Sequence, residues 1–179
     1  MFQKGEYIVY GSIGVCRVED VGIPEHISQT DRMYYTLRPV YQAGVIYIPV
    51  QTKMFMRPLL TREEVMKLIK RMPEIQEEMP EREGNLRMVS NRYEASFRTH
   101  DCEDLIHLIK GLYIKEQTVR QNGRQLGQMD QQYFKRAEEL LYGEFAIVLG
   151  LPLDEVRTYL ERVISEQKNQ IEKKASDGE

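Results

Sequence analysis

The hydrophobic pattern of this 179-residue chain changes its period near Thr61, and this change limits what the chain can fold into. Before Thr61, short runs rich in β-branched and aromatic residues alternate with glycine turns, a pattern typical of strands. After it, apolar residues recur three and four positions apart, as in helices that bury one side. The sequence therefore predicts an α+β chain in which a β module at residues 1–60 precedes an all-α domain.

Four strands are predicted in the β module, at residues 7–10, 15–21, 33–40 and 45–50. Pro49 has no N–H group, so the fourth strand should end there or lie at an edge of the sheet. Tyr34 and Tyr35 are neighbours in the third strand, so only one of them can point inward. Short strands joined by glycine turns over about 55 residues favour a small barrel.

The remainder is predicted to comprise a helical connector at residues 61–85, a helical domain at 86–165 and a frayed or disordered tail at 166–179. Thr61 and Glu64 have the spacing of a capping box, which marks a helix start. The tail has few apolar residues, so it can bury little surface.

Polar and glycine residues mark the helix ends in the predicted domain. Ser90 is expected to start a short helix and Asp101 the next one, because their side chains can accept hydrogen bonds from free N–H groups. Gly123 and Gly150 are expected to end helices, since glycine readily adopts the left-handed conformation found there. Pro152 then opens the last helix at an early position.

The sequence contains no signal for export or membrane insertion. No apolar run approaches the roughly 18 residues that a membrane-spanning helix needs. Residues 1–6 lack the apolar core of a signal peptide. Cys16 and Cys102 are too few for a disulfide framework and fit a reducing compartment. We therefore expect a cytoplasmic protein.

Motifs of known enzyme classes are missing as well. The sequence has no GxGxxG, P-loop, HExxH or GxSxG pattern. The densest polar cluster includes His100, Cys102 and His107, but Cys102 and His107 are five apart, about 140° around a helix. That spacing is unsuitable for one metal site. From the sequence we expect a protein that is not an enzyme and binds no cofactor.

Charge is unevenly distributed along the chain, whose formal net charge is -3. Residues 86–136 carry 9 basic and 6 acidic side chains, whereas residues 137–179 carry 5 and 10. A local basic patch can bind phosphates even on a chain that is acidic as a whole. The charge of residues 86–136 is therefore compatible with nucleic-acid binding, whereas the charge of residues 137–179 favours a protein partner.

Three segments resemble one family in the same order. Residues 2–11 (FQKGEYIVYG), 90–93 (SNRY) and 140–146 (LLYGEFA) resemble the CarD/CdnL family of bacterial transcription factors. The opening module of that family is shared with transcription-repair coupling factor. The resemblance covers about residues 1–165, and it implies a Tudor/SH3-like barrel at the N-terminus.

The resemblance implies that the barrel binds the lobe of the RNA polymerase β subunit, partly by strand addition at an edge. The residues expected at this contact are Ile46, Tyr47, Pro49 and Arg38. Tyr47 stands where well-studied members have an arginine, so Arg38 on the preceding strand is expected to supply the charge.

The resemblance also implies that the helical domain contacts promoter DNA near the upstream edge of the melted bubble. Family members insert a tryptophan into the minor groove there, but this chain has no Trp and carries Val89 at that position, beside Met88. Either apolar residue can serve as a smaller wedge. Arg92 matches a basic position of the family, and Lys135 and Arg136 lie near another of its basic clusters, so the resemblance implies that these residues contact phosphates.

These features predict a transcription regulator that binds RNA polymerase and promoter DNA, modulates the stability of the open complex, and is monomeric when free. The alternative is a protein–protein adaptor whose helical domain binds a protein rather than DNA. The acidic residues 137–179 favour this alternative, since they repel phosphates.

Overall fold

The computed structural model of the protein describes residues 1–24, 31–75 and 85–176. The chain divides into two compact units, Met1–Leu60 and Thr61–Glu179. The first unit contains the strands and the second the helices, so the α+β class is confirmed. No helix in the described part of the chain is both long and apolar enough to span a membrane.

The described residues of the first unit form a five-stranded antiparallel sheet with the order β4-β3-β2-β1-β5. Its strands are β1 Tyr7–Tyr10, β2 Gly14–Gly22, β3 Tyr34–Pro39, β4 Ile46–Pro49 and β5 Met56–Pro58. The first four correspond to the predicted strands. The fifth was not predicted, because three residues ending in a proline give almost no periodic signal. The closure of this sheet into a barrel stays a prediction.

One side of the sheet forms the core of the first unit. Its buried side chains come from alternate positions on four strands: Ile8, Tyr10, Cys16, Val18, Tyr35, Leu37 and Ile48. Tyr35 is buried and Tyr34 is only partly buried, as the alternation along a strand requires. The hydroxyl of Tyr35 accepts a hydrogen bond of 3.0 Å from the backbone N–H of Phe2, so the N-terminal segment lies against this core.

The described part of the second unit contains five α-helices. They are α1 Arg62–Arg71, α2 Leu86–Arg98, α3 Cys102–Gln121, α4 Gln128–Leu149 and α5 Val156–Ser176, with a 3-10 turn at Leu153–Glu155. The capping box of Thr61 and Glu64 is present, and Asp101 caps α3. Gly150 ends α4 in the left-handed conformation, with a φ of 70°.

The start of α2 differs from the prediction. Asn85 caps this helix, because its side-chain oxygen accepts a hydrogen bond of 3.0 Å from the N–H of Arg87. Ser90 lies inside the helix, and its Oγ is 2.9 Å from the hydroxyl oxygen of Tyr133 on α4. The assignment of Ser90 as the cap was therefore wrong: a competing cap five residues earlier allowed one more turn of helix.

Helix α5 continues to Ser176, where the sequence predicts a frayed or disordered segment from residue 166. Residues 166–175 contain neither glycine nor proline and are mostly Glu, Gln and Lys, which favour helix. Helix α1 belongs to the second unit, since Arg62 Nη1 donates a hydrogen bond of 3.2 Å to the carbonyl of Leu149.

Candidate interaction surfaces

The first turn of α2 exposes two apolar side chains. Leu86 is 73% exposed and Met88 is 66% exposed, whereas Val89 is only partly buried. Of the two wedge candidates, Met88 is therefore the more accessible to a partner. The sequence did not single out Leu86 as a contact residue. It is the first residue of α2 and precedes the buried residues of the helix, which begin at Tyr93, so no neighbouring helix in the described part of the chain covers it.

The exposed side of α2 also carries basic residues. Met88 and Arg92 are four positions apart and both exposed, so they share one side of the helix. Arg87 and Arg98, which the sequence did not single out, are exposed and eleven positions apart, which is close to three turns. We call these four residues, together with Asn91 and Ala95 between them, the α2 face.

Arg136 lies at one edge of the α2 face. Its Nη1 is 2.9 Å from Glu94 Oε1, and its guanidinium carbon is 4.2 Å from the centre of the Phe97 ring. Glu94 and Arg92 are two positions apart on α2, about 200° around the axis. The structure therefore places Arg92 and Arg136 on opposite flanks of α2.

Lys135 lies away from the α2 face, although it is next to Arg136 in sequence. Adjacent helical residues point about 100° apart, which turns Lys135 toward a groove between α3, α4 and α5. Its Nζ is 3.7 Å from Glu139 Oε1. The five predicted DNA-contact residues thus do not form one cluster: Met88 and Arg92 lie in the α2 face, Val89 and Arg136 border it, and Lys135 does not.

Strand β4 forms one edge of the sheet, because β3 is the only strand among the described residues that pairs with it. Tyr47 is 39% exposed and stands opposite Thr36 on the outer side of the sheet. Ile46 packs against the core, and Pro49 ends the strand. The predicted polymerase residues of this strand therefore share an edge position, and Tyr47 has the most accessible side chain of the three.

Arg38 is exposed on the same outer side, two positions from Thr36 along β3. Its Nε is 3.7 Å from Glu19 Oε1, and Arg17 Nη1 is 3.8 Å from the same oxygen. Arg17 and Arg38 are opposite each other in the β2–β3 ladder. Glu19 therefore balances two neighbouring arginines, and the outer side keeps a net positive charge at this point.

All of these sheet residues lie within a segment that is similar to a known domain family. Residues 2–60 match the CarD-like/TRCF RID domain family. The match covers 59 of the 179 residues and confirms the resemblance for this part of the chain. No curated protein matches the chain. We call residues 2–60 the RID module.

The RID module exposes further tyrosines that the sequence did not single out. Tyr7 is exposed and stands opposite Arg17 in the β1–β2 ladder. Tyr41 is exposed as well, and partial burial together with the neighbouring Tyr7 raises the pKa of its hydroxyl. The alternation in β1 could have identified Tyr7, because Ile8 and Tyr10 occupy the inward positions.

Outside the RID module, an apolar groove between α3, α4 and α5, which Lys135 does not line, has a volume of about 520 Å³. Its apolar lining includes the half-exposed Tyr113, with Ile109, Phe134, Leu141 and Ile164. At its polar end, Glu138 Oε1 accepts a hydrogen bond of 3.3 Å from the Tyr142 hydroxyl and is 3.7 Å from Arg157 Nη1. Burial raises the pKa of Glu138, and Arg157 opposes this shift.

In the polar cluster at the start of α3, Cys102 takes part in a buried hydrogen bond. The thiol of Cys102 is buried and donates a hydrogen bond of 3.4 Å to Glu144 Oε2, which is itself buried. Across the described residues, no group of three or more His, Cys, Asp and Glu side chains is placed to hold a metal ion. The accessible features of the described chain are thus an edge strand, the α2 face and an apolar groove.

Proposed function

We propose that the protein is a bacterial transcription regulator that works in the cytoplasm and binds both RNA polymerase and promoter DNA. The observation that carries this proposal is the match of residues 2–60 to the RID family, on a sheet with the exposed edge strand β4. That family is a protein-interaction module, so the proposed role is binding rather than catalysis. The protein is monomeric when free.

The polymerase contact is the lobe of the β subunit, added to the sheet at β4. A strand that joins an edge gains backbone hydrogen bonds, while exposed side chains decide which partner is accepted. Tyr47 supplies apolar area with a hydroxyl group, and Ile46 and Pro49 fix the two ends of the edge. Arg38 and Arg17 give the adjacent surface a positive charge that suits an acidic partner.

The DNA contact is the α2 face, directed at the upstream edge of the melted bubble. Arg92 on one flank and Arg87 and Arg98 on the other provide cations for phosphates on two sides of a groove. Met88 provides an apolar wedge for an opened base step, and Leu86, about 200° around the axis, is a second exposed apolar side chain at the same end of α2. Both lack the area and the N–H group of an indole, so the wedge contributes less than a tryptophan does.

Bound to both partners, the protein modulates the stability of the open complex. It can shift the equilibrium of promoter melting only by as much as its affinities for the closed and open complexes differ. The wedge gives the protein a higher affinity for the open complex, because the opened base step that it enters is absent from the closed complex.

Binding to a forked promoter fragment in the presence of RNA polymerase tests the DNA contact. We expect affinity to fall steeply as salt rises, and Arg92→Gln to reduce the salt slope by about one unit. Arg124→Gln is the matched control, since Arg124 is exposed in the α3–α4 connection and outside the α2 face. Equal effects of the two substitutions would contradict the assignment of Arg92.

Binding to the isolated β lobe tests the polymerase contact. We expect Tyr47→Ala to weaken it about tenfold or more, as truncation of a central interface tyrosine does. Tyr113→Ala is the control, because it removes a comparably exposed tyrosine from the second unit. Failure of the folded wild-type protein to bind the lobe at all would overturn the polymerase proposal.

The second candidate is a protein–protein adaptor, which the apolar groove favours. The groove is large enough for side chains of a partner helix, and Tyr113 is exposed at its wall. If the promoter fragment gives no DNA-dependent signal even with polymerase present, the adaptor becomes the better description. In that case Tyr113→Ala, rather than Arg92→Gln, should impair the function of the second unit.

A further inference from the structure

We propose that Glu94 is an autoinhibitory residue, which withholds Arg136 from DNA phosphates and so limits the affinity of the α2 face. This inference rests on the proposed DNA contact and concerns its regulation. Glu94 is the only acidic residue in α2, whose other charged residues are Arg87, Arg92 and Arg98. It therefore stands where a phosphate would otherwise meet positive charge alone.

Two hydrogen-bond donors hold the Glu94 side chain in place beside Arg136. Glu94 Oε1 accepts hydrogen bonds from Arg136 Nη1 at 2.9 Å and from the Tyr133 hydroxyl at 3.0 Å. Tyr133 is itself 2.9 Å from Ser90 Oγ. One carboxylate oxygen thus joins α2 to α4 through two donors, which restricts the motion of Glu94 more than a single surface ion pair would.

The arginine is restricted as well. Its guanidinium lies 4.2 Å from the centre of the Phe97 ring, a distance at which cation and ring attract. Tyr133 supports that ring with a centroid distance of 6.0 Å. The side chains of Arg136 and Glu94 are 37% and 35% exposed, so water screens their attraction less than at a fully open surface.

Two consequences for DNA follow from this geometry. The carboxylate cancels the charge of Arg136, so the pair adds no net attraction for phosphate at this edge of the α2 face. A phosphate that approaches Arg136 must also come close to Glu94, and like charges repel. Arg136 therefore becomes available only when a strong phosphate contact displaces the carboxylate.

The experiment measures binding of the full-length protein, with polymerase, to the forked promoter fragment at several salt concentrations. We expect Glu94→Gln to raise affinity about fivefold near physiological salt and to steepen the salt slope by about one unit, as one added phosphate contact does. Glu63→Gln is the matched control, since it removes the acid of an exposed ion pair on α1, far along the chain from α2. It should leave affinity unchanged.

A double-mutant cycle separates withholding of Arg136 from simple charge repulsion. If Glu94 acts through Arg136, the gain from Glu94→Gln should shrink to less than twofold in an Arg136→Gln background. An equal gain in both backgrounds, or a loss of affinity in Glu94→Gln, would overturn the proposal. The second result would mean that Glu94 orients Arg136 toward phosphate.

The outcomes also distinguish this proposal from the proposed function. If wild type binds the fragment but Glu94→Gln and Glu63→Gln behave alike, autoinhibition by Glu94 is wrong and the DNA contact stands. If neither wild type nor Glu94→Gln binds, both are wrong. The thermal unfolding of each variant shows whether a change in affinity reflects loss of the fold.

Discussion

Burial controls the reactivity of Cys16, whose side chain is fully enclosed in the core of the sheet. Desolvation raises the pKa of its thiol to about 11, so almost no thiolate is present near neutral pH. We expect Cys16 to react with a thiol reagent at pH 8 only as fast as the first unit unfolds. The measurement is the rate of modification with and without urea, followed at Cys16 in a Cys102→Ala variant. Fast modification in the native protein would contradict full burial.

A second residue-scale effect concerns Glu138, whose pKa burial raises above the ordinary value of 4.5. The folded state binds this proton more tightly than the unfolded state, so this residue contributes less to stability as pH rises from 4.5 through the raised pKa. We expect Glu138→Gln to gain stability relative to wild type over that interval. Urea unfolding of both proteins between pH 4 and 8, with pH as the only variable, measures the difference.

The control for this pH dependence is Glu139→Gln, since the Glu139 side chain is more than half exposed. A constant difference between wild type and Glu138→Gln across the interval would show that burial of Glu138 does not influence its titration.

At the scale of elements, Asp130 connects three helices. It is buried on α4, accepts a hydrogen bond of 2.8 Å from the Tyr93 hydroxyl on α2, and lies 2.7 Å from Lys115 Nζ on α3. We expect Asp130→Asn to lower the free energy of unfolding by about 1–3 kcal/mol, less than for a fully buried pair because Lys115 is partly exposed.

Chemical denaturation measures this effect, and Lys67→Gln is its control. Lys67 forms an exposed pair with Glu63 on α1, so its loss should cost less than about 0.5 kcal/mol. Similar losses for the two variants would mean that Asp130 contributes no more than a surface residue does.

Elements were predictable where local chemistry marks their ends. Thr61, Asp101 and Gly150 act as predicted, because capping depends on a few neighbouring residues. Ser90 does not, because Asn85 caps the helix five residues earlier, and the Ser90 hydroxyl instead lies 2.9 Å from that of Tyr133, which is 43 positions away. A local pattern could not indicate that contact, nor could it show that β5 pairs with β1.

For the whole molecule, the division at residue 60 leads to a test of independence. Each unit has its own core, so we expect residues 1–60 expressed alone to keep the sheet and the binding to the β lobe. An amide proton–nitrogen spectrum of the fragment should overlay that of the same residues in the full chain. A collapsed, poorly dispersed spectrum would show that the first unit depends on the second, as the marginal stability of small domains permits.

The sequence by itself determined the two architectures, the first four strands, most helix ends and the resemblance of residues 2–60, since these depend on neighbouring residues and their periodicity. Only the tertiary structure decided how the candidate residues are grouped. It separated Lys135 from Arg136, exposed Met88 rather than Val89, and joined Glu94 to Arg136. The physical reason is that accessibility and pairing depend on how helices distant in sequence pack, which no local pattern encodes.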